Sequence, residues 1–263
     1  MDRAFPRPVA ILFAAVVVVA IIAMFRSLPT EEDRGARTAT VVVVDAGHGG
    51  EDGGTVVFGL REKDLTLDLA RRLARALEVR GLRPVLTRAD DSTVPLEERV
   101  GVARANPGAV LVSLHFNRFG TPSVGGVEAY VASPSAPVEI KLEPGDAPRA
   151  YRDHRSHELA QRIVESAAAA AGMTSRGVRE SSFLVVRQAP PPAVIIECGY
   201  LSNPRDALLV AKAEVRTQLA EAIAREIDAY CQERRTNRLL GLSAWSGVIA
   251  PNDMPAPIRD EGG

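Results

Sequence analysis

VVVVDAGHGG, residues 41–50, runs a β-branched hydrophobic stretch straight into a glycine-rich turn that carries a histidine. Such a run reads as a short strand buried on both faces, as in a parallel sheet covered by helices above and below. The turn delivers His48 at the carboxyl end of that strand, where sites assemble in open α/β sheets. Five glycines lie between Gly47 and Gly54, which lets the backbone approach a bound ligand closely. A phosphate-binding loop is a rival reading. However, GxxxxGK[ST] is absent, and Asp52 breaks the dinucleotide fingerprint at its last position. The blandest reading is a flexible turn with an incidental histidine.

Outward from this stretch, strand and helix patterns alternate. Residues 62–80 read as a helix, with Leu65, Leu69, Leu73 and Leu77 at four-residue spacing and Gly81 as the stop. RPVLTR (83–88) reads as a strand, 96–105 as a short helix, GAVLVSLHF (108–116) as a third strand and GVEAYVA (126–132) as a fourth. A helix is expected over 156–171, strands at FLVVR (183–187) and AVIIECG (193–199), and a long helix over 214–234. Asn203-Pro204 is a cap followed by proline at a first helical position. Short connections between alternating elements predict one α/β domain with a mostly parallel, twisted sheet flanked by helices.

A chain of 263 residues accommodates one such domain plus appendages. The formal net charge of -1 gives no electrostatic footprint for nucleic acid. Cys198 and Cys231 form no metal-ligand spacing and are too few for a disulfide framework. Residues 9–25 are all apolar and uncharged, with Arg3 and Arg7 before them and Arg26 after. As a helix they span about 26 Å, close to the roughly 30 Å hydrocarbon core, so a single-pass anchor is expected. A cleaved signal peptide leaving a secreted or periplasmic protein is the alternative. The expected division is an anchor over 1–25, a polar linker over 26–40, the folded domain over 41–235 and a disordered tail over 236–263. Residues 134–150, rich in proline and charge, read as an irregular insertion.

Three side chains converge on one chemistry. On its helix Glu62 shares a face with Leu65, Leu69 and Leu73, so its carboxylate turns toward the sheet. An inward carboxylate costs several kcal/mol unless it is paired or bound to a metal; a helix-dipole acid is the plainer reading. In SLHFN, alternation puts Ser113, His115 and Asn117 on one face while Leu114 and Phe116 pack the other. Two imidazoles and one carboxylate (His48, Glu62 and His115) make a three-ligand zinc set with a coordination position left open, the mark of a catalytic site. Asn117, on the same face, is the expected substrate-binding residue. Glu197 ends the apolar run AVII at the same edge of the sheet and is the expected proton-handling group. Its neighbour Cys198 points the other way and reads as a buried small hydrophobe, as does Cys231. His154 and His157 match no zinc-helix motif and read as solvated loop histidines.

Taken in order, VVVDAGHGG, EKD, SLHFN and VIIECGYLSNPRD strongly resemble the zinc-dependent N-acetylmuramoyl-L-alanine amidases that cut bacterial peptidoglycan. The resemblance covers residues 41–230. It implies that His48, Glu62 and His115 bind Zn2+, that Glu197 is the catalytic acid/base, and that the bond cut joins N-acetylmuramic acid to the L-alanine of the stem peptide. Peptidoglycan is the implied partner, alongside the membrane and an unidentified protein activator, with the domain on the extracytoplasmic, periplasmic side. Phe116 departs from the family's usual small residue, a change that would narrow the site, and the insertion at 134–150 lacks a counterpart in the family's core. Two other classes compete: an Fe(II) enzyme built on the same 2-His-1-carboxylate set, and a membrane-anchored, non-catalytic peptidoglycan-binding regulator.

Overall fold

The β-branched runs form strands and the four-residue leucine repeat forms a helix. In this computed structural model the described residues are 40–133 and 149–239. The apolar run at 9–25, the linker up to residue 39, insertion residues 134–148 and residues 240–263 of the expected tail lie outside them; residues 236–239 of that tail are instead the end of the last helix. Chain order is β1 (Val41–Ala46), a small hairpin of β2 (Val56–Val57) and β3 (Leu60–Arg61), α1 (Glu62–Val79), β4 (Arg83–Leu86), α2 (Leu96–Arg104), β5 (Val110–Asn117) and β6 (Val127–Ala132). There follow α3 (Arg149–Ala171), β7 (Ser175–Ser181), α4 (Leu184–Gln188), β8 (Ala193–Tyr200), α5 (Pro204–Val210) and α6 (Ala213–Leu239). Among the described residues no helix is long and apolar enough to cross a membrane.

Six strands form one sheet in the order β4-β1-β5-β8-β6-β7. All neighbours run parallel except β6, which is antiparallel to β8. Strand alternation divides the core between the two faces. On one face Val42, Val44, Leu114, Phe116, Ile196 and Cys198 pack with α1, α3 and α6 into the larger cluster. On the other, Val43, Leu111 and Ile195 pack with residues of α2 and α4. This second face carries the polar groups of the site at its carboxyl edge.

α1 begins where the hairpin ends, with Arg61 still extended, and stops at Gly81, whose φ of +72° suits only glycine cheaply. α5 begins as its sequence implies: the Asn203 side chain accepts from the backbone N–H groups of Arg205 and Asp206, with Pro204 at the first position.

Three local readings need correction. FLVVR is a helix, α4, and not a strand; the last strand before β8 is instead SRGVRES, β7. Five apolar residues cannot announce their period, and β7 at the sheet's edge has no reason to be apolar. α3 starts at Arg149 instead of near residue 156, so His154 and His157 are exposed on a helix and not in a loop. Phe116 is fully buried in the larger cluster on the helix-packed face, so its bulk does not narrow the site.

Candidate metal centre

Two buried arginines shape the turn after β1. Arg99 donates to the carbonyls of Ala46 and His48 at 2.6 and 2.7 Å and to the Asp45 carboxylate at 2.7 Å. Arg88 donates to the carbonyls of Ala46, Gly47 and Lys63. Together they hold His48 at a φ of +60°, a conformation that costs a non-glycine residue on the order of 1 kcal/mol or more. Burial pushes the proton affinity of Asp45 up, but Arg99 and the hydroxyls of Ser113 and Thr87 outweigh it and keep the carboxyl below its usual range.

The glycines make room for side chains as much as for a ligand. A Cβ on Gly47 would sit 2.3 Å from the His115 ring. One on Gly54 would sit 2.7 Å from both the Glu62 carboxylate and the His48 ring. The turn can therefore close over the cluster only without side chains at these positions.

His48, Glu62 and His115 come together as the spacing of their elements implies. His48 Nε2 lies 3.0 Å and His115 Nδ1 3.1 Å from the same oxygen, Glu62 Oε1, and one ligand-type atom from each residue lies within 4.8 Å of the others. The rings meet edge to face with centroids 4.9 Å apart. Burial works against the ionised form of Glu62, but hydrogen bonds from His115 and His48 prevail and hold it well below the usual carboxylate range. Backbone N–H groups of Thr55 and Phe116 also donate to its two oxygens, at 2.8 and 3.0 Å. Burial lowers the proton affinity of His48, but Glu62 and Asp52 raise it to about 8. A carboxylate held ionised against two imidazoles that favour a proton is a site whose negative charge asks for a cation.

Asp52 was legible only as a break in a fingerprint, yet its Oδ2 lies 2.7 Å from His48 Nδ1. A carboxylate on the second ring nitrogen fixes the tautomer and leaves Nε2 free to ligate, a common arrangement around bound metals. The four-residue separation of His48 and Asp52 within a tight turn was the available signal.

Glu197 sits opposite His115 in the β5–β8 register. Its Oε2 is buried with no hydrogen-bond partner, and burial, helped by Glu62 and Glu128 and opposed by His115, raises its carboxyl to about 7. Asn117 ends β5 on the same side, with its Oδ1 accepting from the Arg118 N–H. A cleft of about 280 Å³ opens beside His48 and His115, walled by Thr93, Val94, Leu96 and Val185. Cys198 and Cys231 are buried free thiols, and burial pushes both well above their ordinary values. Cys198 packs away from the cluster, as alternation requires.

A mixed α/β sheet with a 2-His-1-carboxylate cluster at its carboxyl edge, and beside it a carboxylate with a buried, unpartnered oxygen, defines a class with the geometry of a metal-dependent hydrolase. The comparisons make that class specific. A family model described as N-acetylmuramoyl-L-alanine amidase (Amidase_3) matches residues 42–229. The uncharacterized protein YqiI of Bacillus subtilis is 36% identical over 189 residues, covering 72% of this chain and 84% of its own. N-acetylmuramoyl-L-alanine amidase LytC of the same organism is 31% identical over 182 residues, and the match spans 69% of this chain but only 34% of that one. Among solved structures, the catalytic domain of the amidase CwlV from Bacillus (Paenibacillus) polymyxa superposes with a TM-score of 0.63 at 32% identity, covering 73% of this chain and 98% of that one. An amidase from Clostridium difficile gives 0.64 at 30%, covering 74% and 98%. The chain belongs to the N-acetylmuramoyl-L-alanine amidase family.

Proposed function

We propose that the protein is a zinc-dependent hydrolase that cleaves the amide joining N-acetylmuramic acid to the L-alanine of the peptidoglycan stem peptide. The observation that carries this reading is the convergence of His48, Glu62 and His115 within 4.8 Å, beside a carboxylate with a buried, unpartnered oxygen, in a chain of this family. The donor set fits zinc: two neutral imidazole nitrogens and one carboxylate oxygen, with Asp52 fixing one imidazole from behind. His48 Nε2, His115 Nδ1 and a Glu62 oxygen would hold the ion. Zinc bound there supplies Lewis acidity for the amide carbonyl and for the attacking water.

Glu197 does the proton work. In the metal-free protein burial raises its proton affinity to about neutrality, the range in which a carboxyl can both accept and donate. It takes a proton from the attacking water as the new C–O bond forms. It then gives that proton to the alanine nitrogen as the C–N bond breaks, leaving a lactyl carboxylic acid and a free amine. Asn117, at the end of the same strand as His115, borders the substrate. The apolar run at 9–25 would anchor the domain on the extracytoplasmic side, where the substrate lies. Retention of the full chain in salt-washed membranes is then expected, and a mature amino terminus mapping just beyond that run would replace the anchor with a secreted form.

Mass spectrometry of purified peptidoglycan treated with the zinc-loaded protein tests the reaction. Stem peptides with a free L-alanine amino terminus are expected; glycan fragments, or peptides cut elsewhere, would overturn the assignment.

A further inference from the structure

Next to Glu197, away from the metal-type cluster, lies a second group of charges that the reaction above does not use. Glu128 is 1% exposed and pairs directly with Glu197 across the antiparallel β6–β8 ladder. Its Oε2 accepts from Tyr200 Oη at 2.5 Å and from Tyr130 Oη at 3.1 Å. Its Oε1 is paired with Arg179 Nε, and Arg176 Nε stands 3.7 Å away, too far for a hydrogen bond. That Arg176 Nε is buried and has no hydrogen-bond partner, while the guanidinium lies over the Tyr200 ring at 5.4 Å. Two guanidiniums thus face one carboxylate. Glu180, the next acid on β7, accepts instead from Ser133. The cluster keeps guanidinium N–H groups to offer: Arg176 Nε has no hydrogen-bond partner, and Arg179 is 53% exposed.

The order of strands gives these groups a direction. Across the sheet His115 on β5, Glu197 on β8 and Glu128 on β6 pair in turn, and Arg179 on β7, in register with Tyr130, reaches Glu128 through its side chain. In the proposed reaction the leaving nitrogen lies at Glu197, and a peptide that continues past it across β8 runs toward β6 and β7. β8 and β7 are two strand spacings apart, about 10 Å, and the long arginine side chains reach back toward β8. Two residues of extended peptide cover roughly 7 Å. The residue after alanine therefore falls within reach of the guanidiniums, whose planar forks suit a carboxylate.

Resting on the amidase reading, we propose that Arg176 and Arg179 form a carboxylate subsite that recognises a free carboxylate on the stem-peptide residue following alanine, and so discriminates against stems in which that carboxylate is a carboxamide.

The test compares two ligands on the full chain in detergent: L-alanyl-D-glutamate with its γ-carboxyl blocked as a methylamide and its α-carboxylate free, and the same molecule with an α-carboxamide. Calorimetry is expected to show the carboxylate bound about tenfold more tightly by the wild type, the gain of one charge-assisted bond. Arg179→Gln and Arg176→Gln should each reduce that ratio toward one, and Arg179→Lys should keep part of it. Equal affinity for the two ligands, including no measurable binding of either, overturns the subsite. So does a ratio that survives both glutamine substitutions. The N-acetylmuramoyl forms of both dipeptides, given to the zinc-loaded protein, separate this from the parent reading. Cleavage of both at equal rates sinks the subsite and leaves the amidase assignment standing. A carboxylate preference in binding without cleavage of either sinks the amidase assignment alone. A purely structural loss from unpairing Glu128 would slow both substrates together and leave the ratio unmoved.

Discussion

The two faces of β5 and β8 carry opposite kinds of residue. One face of the same strands carries Leu114, Phe116, Ile196 and Cys198, sealed against three helices. The other carries Ser113, His115 and Glu197, polar groups that would be intolerable in the first setting. Backbone, register and neighbouring strands are shared, so nothing but side-chain alternation decides which residue packs and which works. The helix-packed face derives its stability from area removed from water. The other face holds a buried, unpartnered carboxylate oxygen, that of Glu197, the group to which the proposed reaction gives the proton transfer. Stability and reactivity are thus separable residue by residue along one strand, and substitutions on adjacent residues should separate them.

The sharpest contrast is between Phe116 and its neighbour. Phe116→Ala removes a fully buried ring and should cost about 3–5 kcal/mol of stability, read by denaturant unfolding. His115→Ala, one residue away, should abolish stoichiometric zinc binding yet cost the metal-free protein clearly less, because Glu62 keeps His48 and the backbone N–H groups of Thr55 and Phe116 as partners. Comparable losses of stability in both variants would break the distinction between the faces. Next in size is Glu197→Gln, which keeps shape and removes the base. It should retain zinc yet hydrolyse at least about a hundredfold more slowly. Loss of metal in this variant would make Glu197 a ligand. Asp52→Ala should weaken zinc affinity by about 10–100-fold without changing the fold, since it frees the ring that Asp52 orients. An unchanged affinity in metal titration would mean that Asp52 merely decorates the turn.

Much of this contrast is readable from residues alone. The β-branched run at 41–44, the leucines of α1 and the alternation in SLHFN carry their periods openly, and each of His48, Glu62 and His115 stands at the boundary of one such element. What was not readable depends on partners distant in sequence. Arg88 and Arg99 look like ordinary surface residues until they are seen donating hydrogen bonds to the carbonyls of residues 46–48. Glu128 is a charge in a half-apolar strand until Tyr200 and Arg179 are brought to it from across the sheet. FLVVR and SRGVRES exchanged roles for a related reason. Apolarity reports burial, and a short buried helix lying over the sheet is as apolar as a strand within it, whereas an edge strand is not.

The smallest expected effect tests the unpartnered oxygen of Glu197 itself. Its carboxyl stands at about 7 in the folded chain against an ordinary value of 4.5, chiefly because burial disfavours the charge. Between those values the folded protein binds more protons than the unfolded one, so stability falls as pH rises through this window and stays reduced above it. Glu197→Gln has no such proton to lose. In the metal-free protein the variant should therefore gain on the wild type between about pH 4 and about pH 8 by on the order of 1–2 kcal/mol, allowing for partial solvent screening. His48, His115 and Glu62 titrate too and feel the Glu197 charge, so the difference reports the Glu197 proton together with their response to it. Urea unfolding at the two pH values gives the comparison directly. A difference that does not change with pH would show the carboxylate hydrated or paired in solution, and the working face of β8 would then be no more strained than the packed one.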